Sequence, residues 1–223
     1  MRIFVVRHGE TDANKNFILQ GAIDLPLNSE GFRLAKITGE KFKGIKFDIC
    51  YSSPQIRAIQ TAETILKESD NPDTPIIKEE RIKEYYLGDW EGKSYNPEKK
   101  EVNLFRLWLF NKNPRILGAP NGEKCKDIIC RTTAFLNELK AKDYDNVLVS
   151  SHGGASRALL NSLYENSFDF WQGSPPPNLA VNIVDVINGR ATLVEKDKIY
   201  YDKKYLVDRY NVKDLLKNKY RKK

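Results

Sequence analysis

The sequence predicts an α/β fold, a three-layer sandwich in which a mostly parallel central sheet is flanked by helices and followed by a C-terminal antiparallel hairpin. Two observations indicate this class. An apolar strand pattern, a polar turn and a helical pattern follow one another three times along the chain. Near the end, an Asn-Gly pair separates two strand-like runs, which is typical of a tight hairpin. With 223 residues, the chain is long enough to bury one well-filled core.

The first strand-turn-helix unit starts at the N-terminus. Residues 3–6 form a continuous run of β-branched and aromatic side chains, which predicts a buried strand. That strand ends at an Arg-His-Gly motif, residues 7–9. Residues 27–31 supply capping side chains, and apolar positions at helical spacing after them predict a helix over 32–42.

The second unit has the same order of elements. A short strand is predicted over residues 47–51, and the two serines that follow offer helix caps. Pro54 is expected at the first helical position, where its missing N–H costs nothing. The helix is predicted over 56–66, which places Arg57 in its first turn.

The third unit and the hairpin complete the predicted sheet. Residues 146–149 predict a strand, a Ser-Ser-His-Gly-Gly turn follows, and a helix is expected over 155–164. The hairpin pairs residues 181–187 with 191–195 around Asn188-Gly189, because both turn residues tolerate positive φ. An antiparallel pair therefore closes an otherwise strand-helix fold.

A long stretch separates the second and third units. It opens with a linker-like run at 71–75, and an apolar face predicts a helix over 128–139. An insertion at about 93–122 is expected near the site. Its aromatic residues either cover a pocket or simply pack in the core; these residues are Phe105, Trp108 and Phe110. We predict one domain over 1–205 and a basic tail over 206–223.

Composition excludes several classes of protein. The chain has 37 Lys plus Arg against 30 Asp plus Glu, but five of the basic residues lie in the last seven positions. The net charge of +7 therefore reflects mostly a solvated tail, and nucleic-acid binding is not expected. Three cysteines without a Cys-x-x-Cys spacing and only two histidines predict neither a zinc site nor a disulfide framework. The apolar N-terminal run is too short for a signal segment, so we expect a cytoplasmic protein without membrane spans.

Four chemically active side chains follow the predicted strands. Arg7, His8, Arg57 and His152 all lie where strands end and helices begin, the place where ligands bind in such sheets. Both histidines of the chain are followed by glycine, which allows close approach of a ligand. Guanidinium groups pair with phosphoryl oxygens without a metal, and a neutral imidazole can attack phosphorus. This chemistry also needs a carboxylic acid near the site.

The motifs themselves resemble a known family. They occur in order over about residues 1–160, and an opening Arg-His-Gly with a downstream Ser-His-Gly is highly specific. The chain resembles the histidine phosphatase superfamily, the phosphoglycerate-mutase-like proteins. The matching segments are Val6-Arg7-His8-Gly9-Glu10-Thr11, Asn14, Gln20-Gly21, Asp24-Leu25-Pro26-Leu27, Gly31, Ser52-Ser53-Pro54, Arg57, Thr61-Ala62 and Ser151-His152-Gly153-Gly154.

The resemblance implies a role for each candidate residue. His8 would be the phosphorylated nucleophile. The phosphate pocket would comprise Arg7, Asn14, Gln20, Gly21, Arg57, His152 and Gly153. The resemblance also implies a parallel-rich sheet flanked by helices, a phosphorylated small molecule as the substrate, and no metal or other cofactor.

The acid comes from an acidic segment that composition alone cannot resolve. Five acidic residues lie between positions 79 and 91, and the motif, rather than the charge, favours Glu84 as the proton donor. The others are Glu79, Glu80, Asp89 and Glu91.

Departures from the mutase pattern favour the phosphatase branch. The places where mutases of this family carry an Asn, a Lys and a paired Arg hold Gly154, Tyr95 and the single Arg115, although Lys93 could substitute in space. A mutase must retain a bisphosphate, so it needs extra cations. We therefore predict a phosphomonoesterase, with a cofactor-dependent phosphoglycerate mutase as the alternative and a non-catalytic phosphate or nucleic-acid binder as a remote one. The sequence does not rank phosphorylated sugars, glycerates, phosphoserine or ribazole phosphate as substrates.

Overall fold

A six-stranded mixed sheet is the centre of the computed structural model, which describes residues 1–96 and 98–205. Its strand order is β3-β2-β4-β1-β5-β6. The predicted basic tail, 206–223, lies outside the described residues, so the division into a domain and a tail stays a prediction. The strands are β1 Arg2–Arg7, β2 Ile49–Ser52, β3 Ile76–Lys78, β4 Asn146–Ser151, β5 Val181–Ile187 and β6 Arg190–Lys198.

Strand pairing gathers the chemically active residues at one edge of the sheet. Strands β1, β4, β2 and β3 are parallel to one another, whereas β5 is antiparallel to both β1 and β6. Arg7 pairs with Ser151, and Ser52 pairs with Ser150. Three strands therefore end level with one another, and the turns that follow them meet. The predicted fold class, including the antiparallel hairpin, is confirmed.

Helices cover both faces of the sheet, as predicted. Phe4 and Val6 of β1 pack against the helices Ser29–Glu40 and Ile56–Glu68 on one face, and Ile3 and Val5 pack against the helices Cys125–Leu139 and Gly153–Leu159 on the other. This alternation follows from the two-residue period of a strand. The helices are α1 Asp12–Lys15, α2 Ser29–Glu40, α3 Ile56–Glu68, α4 Leu104–Lys112, α5 Cys125–Leu139 and α6 Gly153–Leu159. No helix of the described residues is long and apolar enough to cross a membrane.

A third apolar cluster lies beside the sheet and is built largely from aromatic side chains. Phe110 of α4 makes edge-to-face contacts with Tyr85, Trp90 and Trp171, at ring-centroid separations of 5.4, 5.6 and 5.8 Å. Such geometry is favourable for aromatic pairs. By contrast, Phe105 on the same helix is 63% exposed. The predicted insertion is therefore divided, with one face of α4 in the core and the other in solvent.

The start of α3 differs from the prediction. Pro54 is not its first residue, because the chain stays extended through Gln55 and the helix begins at Ile56. Neither serine caps the helix; instead the Asp24 carboxylate accepts the Ile56 N–H at 2.7 Å. Sequence reasoning assigned this capping to neighbours in the chain, whereas a loop more than thirty residues away provides it.

Other differences lie at short elements. The third predicted helix ends early, because α6 stops at Leu159 and a 3-10 turn, Asn161–Leu163, follows. Strand β3 lies just after the linker-like run, and it was not predicted because three residues are too few to show alternation. Helix α1 was also missed; Thr11 caps it and forms a capping box with Asn14.

Candidate active site

The two histidines lie side by side beyond the ends of β1 and β4. Their ring centroids are 5.1 Å apart, and the side chains are 2% and 0% exposed. Burial lowers the pKa of His8 well below its ordinary value, and the positive charges of Arg57 and Arg7 act in the same direction. The pKa of His152 is lowered for the same reasons, burial first. Both imidazoles are therefore neutral at pH 7.

Hydrogen bonds fix the orientation of the His8 ring. Its Nδ1 lies 2.7 Å from the carbonyl oxygen of Gly9. A carbonyl only accepts hydrogen bonds, so in the neutral ring Nδ1 carries the hydrogen and Nε2 keeps its lone pair. The backbone around the ring is also held, because Asn178 donates its side-chain amide to the carbonyls of His8 and Gly9 at 2.9 and 3.1 Å. His8 is thus a neutral imidazole with Nε2 as the basic atom.

His152 has the opposite arrangement. Its Nε2 lies 2.8 Å from the hydroxyl oxygen of Ser53, and that oxygen also accepts a 3.4 Å bond from the Gln55 N–H. The Ser53 hydroxyl hydrogen is then available to His152 Nε2, which favours the tautomer with hydrogen on Nδ1. Nδ1 is buried and has no hydrogen-bond partner among residues 1–96 and 98–205. Buried polar atoms are rarely left unpaired, so this N–H is suited to a ligand oxygen.

Two arginines supply positive charge to the site. Arg57 is fully buried and donates to the carbonyls of Gly21 and Ile23 at 2.9 and 2.8 Å. Burial lowers the pKa of its guanidinium to about 10, which still leaves it charged at neutral pH. Arg7 donates to the carbonyl oxygen of Pro176, and its guanidinium carbon would lie 3.6 Å from a Cβ placed on Gly153.

Glu84 is held by backbone amides. Its carboxylate accepts hydrogen bonds from Tyr85 at 2.8 Å, Ala155 at 3.0 Å and Gly154 at 3.2 Å. The Gly154 and Ala155 amides belong to the first turn of α6, which begins just after His152. A Cβ on Gly154 would lie only 2.7 Å from Glu84 Oε1, so the carboxylate occupies the space that a side chain would need.

Asn14 and Gln20 form a small polar network with Thr11. The Gln20 amide donates to the Thr11 hydroxyl at 2.9 Å, and the Thr11 N–H donates to the Asn14 side-chain oxygen at 3.2 Å. Asn14 Oδ1 also lies 3.3 Å from the amide of Asn178. These contacts fix both side chains close to the His8 loop.

Gly21, which is expected to line the phosphate pocket, makes hydrogen bonds through both of its backbone groups. Its N–H donates to Glu91 at 3.0 Å, and its carbonyl accepts from Arg57 and Gln55. Both backbone groups are therefore used within the protein, and Gly21 does not line the cavity described below. Its contacts position Arg57 instead.

A cavity of about 110 Å³ adjoins these residues. Five of its lining residues belong to the predicted site and are here called the polar wall: Arg7, Asn14, Gln20, Glu84 and Gly153. Six apolar lining residues are here called the apolar wall: Ile18, Leu87, Trp90, Leu107, Phe110 and Trp171. The uncharged residues Tyr85, Tyr95 and Asn111 also line the cavity. The insertion thus contributes to the cavity through α4, whereas Phe105 and Trp108 do not line it.

Three of the predicted site residues lie next to the cavity without lining it. His8, Arg57 and His152 are each at most 2% exposed and are absent from the cavity surface. They are nevertheless close to the polar wall, since Arg7 and Arg57 both act on the pKa of His8. The structure therefore brings the predicted residues into one cluster, with the imidazoles adjacent to the wall.

Sequence reasoning missed four residues that support this cluster. Ser53 was interpreted only as a helix cap, and Gln55 was not singled out although it bridges the Gly21 carbonyl and the Glu84 N–H, at 2.7 and 3.1 Å. Glu91 binds the N–H groups of residues 21–23 and of Leu87. Asn178 lies far along the chain from His8. The sequence marks only two of these residues. Ser53 lies in the Ser-Ser-Pro motif, and Glu91 lies in the acidic segment.

Clusters of metal-binding side chains are absent from the part of the chain that the structure describes. Within it, no three His, Cys, Asp or Glu side chains are grouped as a metal ion would require. The polar atoms of the site are guanidinium, imidazole and amide groups together with one carboxylate. Such a set can neutralise and orient a phosphoryl group.

Fold and site together define a class of enzyme, and comparison with known proteins identifies it. The sequence profile described as "Histidine phosphatase superfamily (branch 1)" matches residues 3–198. The chain therefore belongs to the histidine phosphatase superfamily, and the expectation of an enzyme of this phosphatase type is confirmed. The role of each site residue stays a prediction.

Some relatives are named as phosphatases and others as phosphoglycerate mutases. "Putative phosphoserine phosphatase 2" of Hydrogenobacter thermophilus is 31% identical over 201 residues, which cover 89% of this chain and 96% of the relative. A 2,3-bisphosphoglycerate-dependent phosphoglycerate mutase of Lachnoclostridium phytofermentans is also 31% identical and covers 96% and 94%. The solved structure of Bacillus stearothermophilus YhfR superposes with a TM-score of 0.79 at 25% identity, covering 89% and 97%.

Proposed function

We propose that the chain is a metal-independent phosphomonoester hydrolase that acts on a small phosphorylated molecule through a phosphohistidine intermediate. The observation that carries this proposal is the state of His8. Its buried ring has a lowered pKa and binds the Gly9 carbonyl through Nδ1, so Nε2 is a neutral nucleophile at pH 7. A cytoplasmic location stays a prediction from the sequence.

The reaction would proceed in two steps. In the first, the lone pair on His8 Nε2 forms a bond to phosphorus, the ester P–O bond breaks, and Glu84 gives its proton to the leaving oxygen. In the second, a water molecule attacks phosphorus and gives a proton to Glu84, and the N–P bond breaks. Inorganic phosphate leaves, and both His8 and Glu84 return to their starting states.

The surrounding cations would stabilise the transferring phosphoryl group. Arg7, Arg57 and the Nδ1–H of His152 would bind its oxygens, and charge neutralisation by fixed donors is effective in a buried site. The phosphate would enter from the cavity, past the polar wall that lies next to His8. Asn14 and Gln20 line that wall and would contact the phosphate as it enters.

The direct test is substitution of the nucleophile. His8→Ala is expected to abolish turnover of p-nitrophenyl phosphate and the acid-labile phosphoenzyme seen after rapid quenching. Glu84→Gln serves as the comparison, because it should slow turnover and still allow phosphorylation. Phosphoenzyme that persists in His8→Ala would refute the assignment. A loss of activity with EDTA that Mg²⁺ reverses would refute metal independence.

A mutase remains the alternative, and the mutase relatives favour it. Its extra cations have no place on the cavity surface, where Arg7 is the only lysine or arginine of the described lining residues. Arg115 instead binds Asn161 and the Ser167 carbonyl at 2.9 and 3.1 Å, and the Lys93 side chain is exposed. Faster interconversion of 3- and 2-phosphoglycerate than hydrolysis of any ester, with bisphosphoglycerate present, would favour the mutase.

A further inference from the structure

The composition of the cavity indicates what kind of alcohol the phosphate is attached to. We infer that the enzyme prefers monoesters whose alcohol part is uncharged and apolar, about the size of one ring, and discriminates against esters that carry a second anionic group. This inference rests on the proposed function, since the cavity adjoins the phosphate site only if the polar wall binds phosphate.

The position of the cavity is the first step. Arg7, Glu84 and Gly153 line it, and these residues would act on the phosphate or the leaving oxygen in the proposed reaction. The residues of the apolar wall line the same cavity. An alcohol whose oxygen is protonated by Glu84 would therefore place its carbon atoms in a space that these apolar side chains line.

The size of the cavity is the second step. Its volume is about 110 Å³, somewhat less than the roughly 150 Å³ of an apolar cavity that holds benzene. The edge-to-face contacts of Phe110 with Trp90 and Trp171 fix the shape of the wall. This volume makes a single ring or a short branched chain the upper limit, and a larger alcohol would have to extend past the mouth of the cavity.

Charge is the third step. Arg7 is the only cationic side chain among the described residues that line the cavity, and bound phosphate would occupy it. A carboxylate on the alcohol would enter a cavity lined by Leu107, Phe110 and Trp171 without a counter-ion. Burying an unpaired charge is costly, whereas burying an apolar ring is favourable.

A matched pair of esters tests the preference. Benzyl phosphate and phosphoglycolate both carry phosphate on a primary CH₂–O group and differ only in phenyl against carboxylate. We expect kcat/KM to be about 10- to 100-fold higher for benzyl phosphate, the factor that burial of one ring supports. Equal values, or a preference for phosphoglycolate, would overturn the inference and leave the proposed hydrolysis intact.

Binding of non-hydrolysable analogues keeps the inference testable whatever the catalytic result. Calorimetry with 2-phenylethylphosphonate and 2-carboxyethylphosphonate should show tighter binding of the phenyl compound by about 10-fold or more. If neither ester is hydrolysed but the phenyl compound binds more tightly, the proposed function fails and the cavity preference holds. Equal affinities would show that the cavity does not receive the alcohol part.

Two leucines of α4 provide a matched pair of variants. Leu107 lines the cavity, and Leu104, one turn earlier, is buried in the same aromatic cluster but does not line it. Leu107→Ala should lower kcat/KM for benzyl phosphate about 10-fold relative to methyl phosphate, because the phenyl ring loses its contacts. Leu104→Ala should leave that ratio unchanged. The same change of ratio in both variants would mean that core packing, not contact with the alcohol, sets the preference.

Discussion

The polar wall and the apolar wall of the cavity are assembled in different ways. Two residues of the polar wall depend on level strand ends, because Arg7 ends β1 and Gly153 lies just after the end of β4. The apolar wall instead combines Ile18, Leu87, α4 and Trp171, which come from segments far apart in the chain and outside the sheet. In the proposed reaction, residues at the ends of sheet strands would act on the phosphoryl group, and residues outside the sheet would contact the alcohol part.

Substitutions in the two walls should therefore affect the hydrolysis rates of esters in different ways. A change in the polar wall should alter the rate for every ester, since it affects the phosphoryl group or the leaving oxygen. A change in the apolar wall should alter the relative rates of different esters.

The largest effect is expected when Glu84 is displaced. Gly154→Ala places a Cβ 2.7 Å from Glu84 Oε1, so the carboxylate must move away from the start of α6. We expect kcat/KM for an alkyl ester such as benzyl phosphate to fall about 10²-fold, the lower end of what a general acid contributes. The loss should be smaller for p-nitrophenyl phosphate, because its leaving group needs little protonation.

Gly153→Ala is the control for this change. Its added Cβ would lie 3.6 Å from the Arg7 guanidinium carbon, an ordinary van der Waals distance. We expect a smaller loss that is equal for both esters, with thermal unfolding confirming that both variants fold. If Gly154→Ala slows the two esters equally, displacement of the acid is not the cause.

The acidic segment shows how far the sequence could predict the polar wall. The strand-end residues Arg7, His8 and His152 were predictable because short motifs follow each strand. Glu84 and Glu91 could not be told apart by composition, since both carboxylates bind backbone amides that only the folded chain brings near. Glu79 was separable in principle, because it pairs with Arg81 two residues away.

A smaller effect is expected from the hydroxyl that orients His152. Ser53→Ala removes the partner of His152 Nε2, so the hydrogen is no longer held on Nδ1. We expect about a 10-fold fall in kcat/KM for all esters, close to the value of one hydrogen bond. The ¹⁵N shifts of the ring should show a change of tautomer at His152 and none at His8. With two histidines in the chain, these signals are simple to assign.

Ser52→Ala is the matched control for the hydroxyl. Ser52 is equally buried and adjacent, but its hydroxyl donates to the Ser53 carbonyl at 2.9 Å rather than to a histidine. This variant should keep the wild-type tautomer at His152. If both variants reduce kcat/KM alike and neither shifts the tautomer, Ser53 has only a structural role.

The sequence could not predict which apolar residues line the cavity. Periodicity placed Phe105, Trp108 and Phe110 on one helix, but it did not show that Phe110 faces the cavity while Phe105 is 63% exposed. Trp171 had no local signal at all, because its role depends on contact with Phe110. Such contacts arise from tertiary packing between segments, and a one-dimensional pattern does not contain them.

The smallest predicted effect concerns the stability cost of the polar site. Burial lowers the pKa of His8 and His152 in the folded protein, so below pH about 6.5 the unfolded chain binds more protons than the folded one. Stability should therefore fall as the pH falls through this range. Between pH 7 and pH 6 we expect the two histidines to remove roughly 1.4 kcal/mol from the free energy of unfolding, measured with urea.

The variant His8→Asn provides the control for this titration, because asparagine does not titrate. Its free energy of unfolding should fall by only about half as much over the same interval, roughly 0.7 kcal/mol, because His152 is then the only histidine that titrates. Since the chain has no other histidine, no further imidazole contributes. A wild-type protein equally stable at pH 7 and pH 6 would mean that the folded site accepts protons as readily as the unfolded chain. The conclusion that His8 is neutral at pH 7, on which the proposed attack depends, would then be wrong.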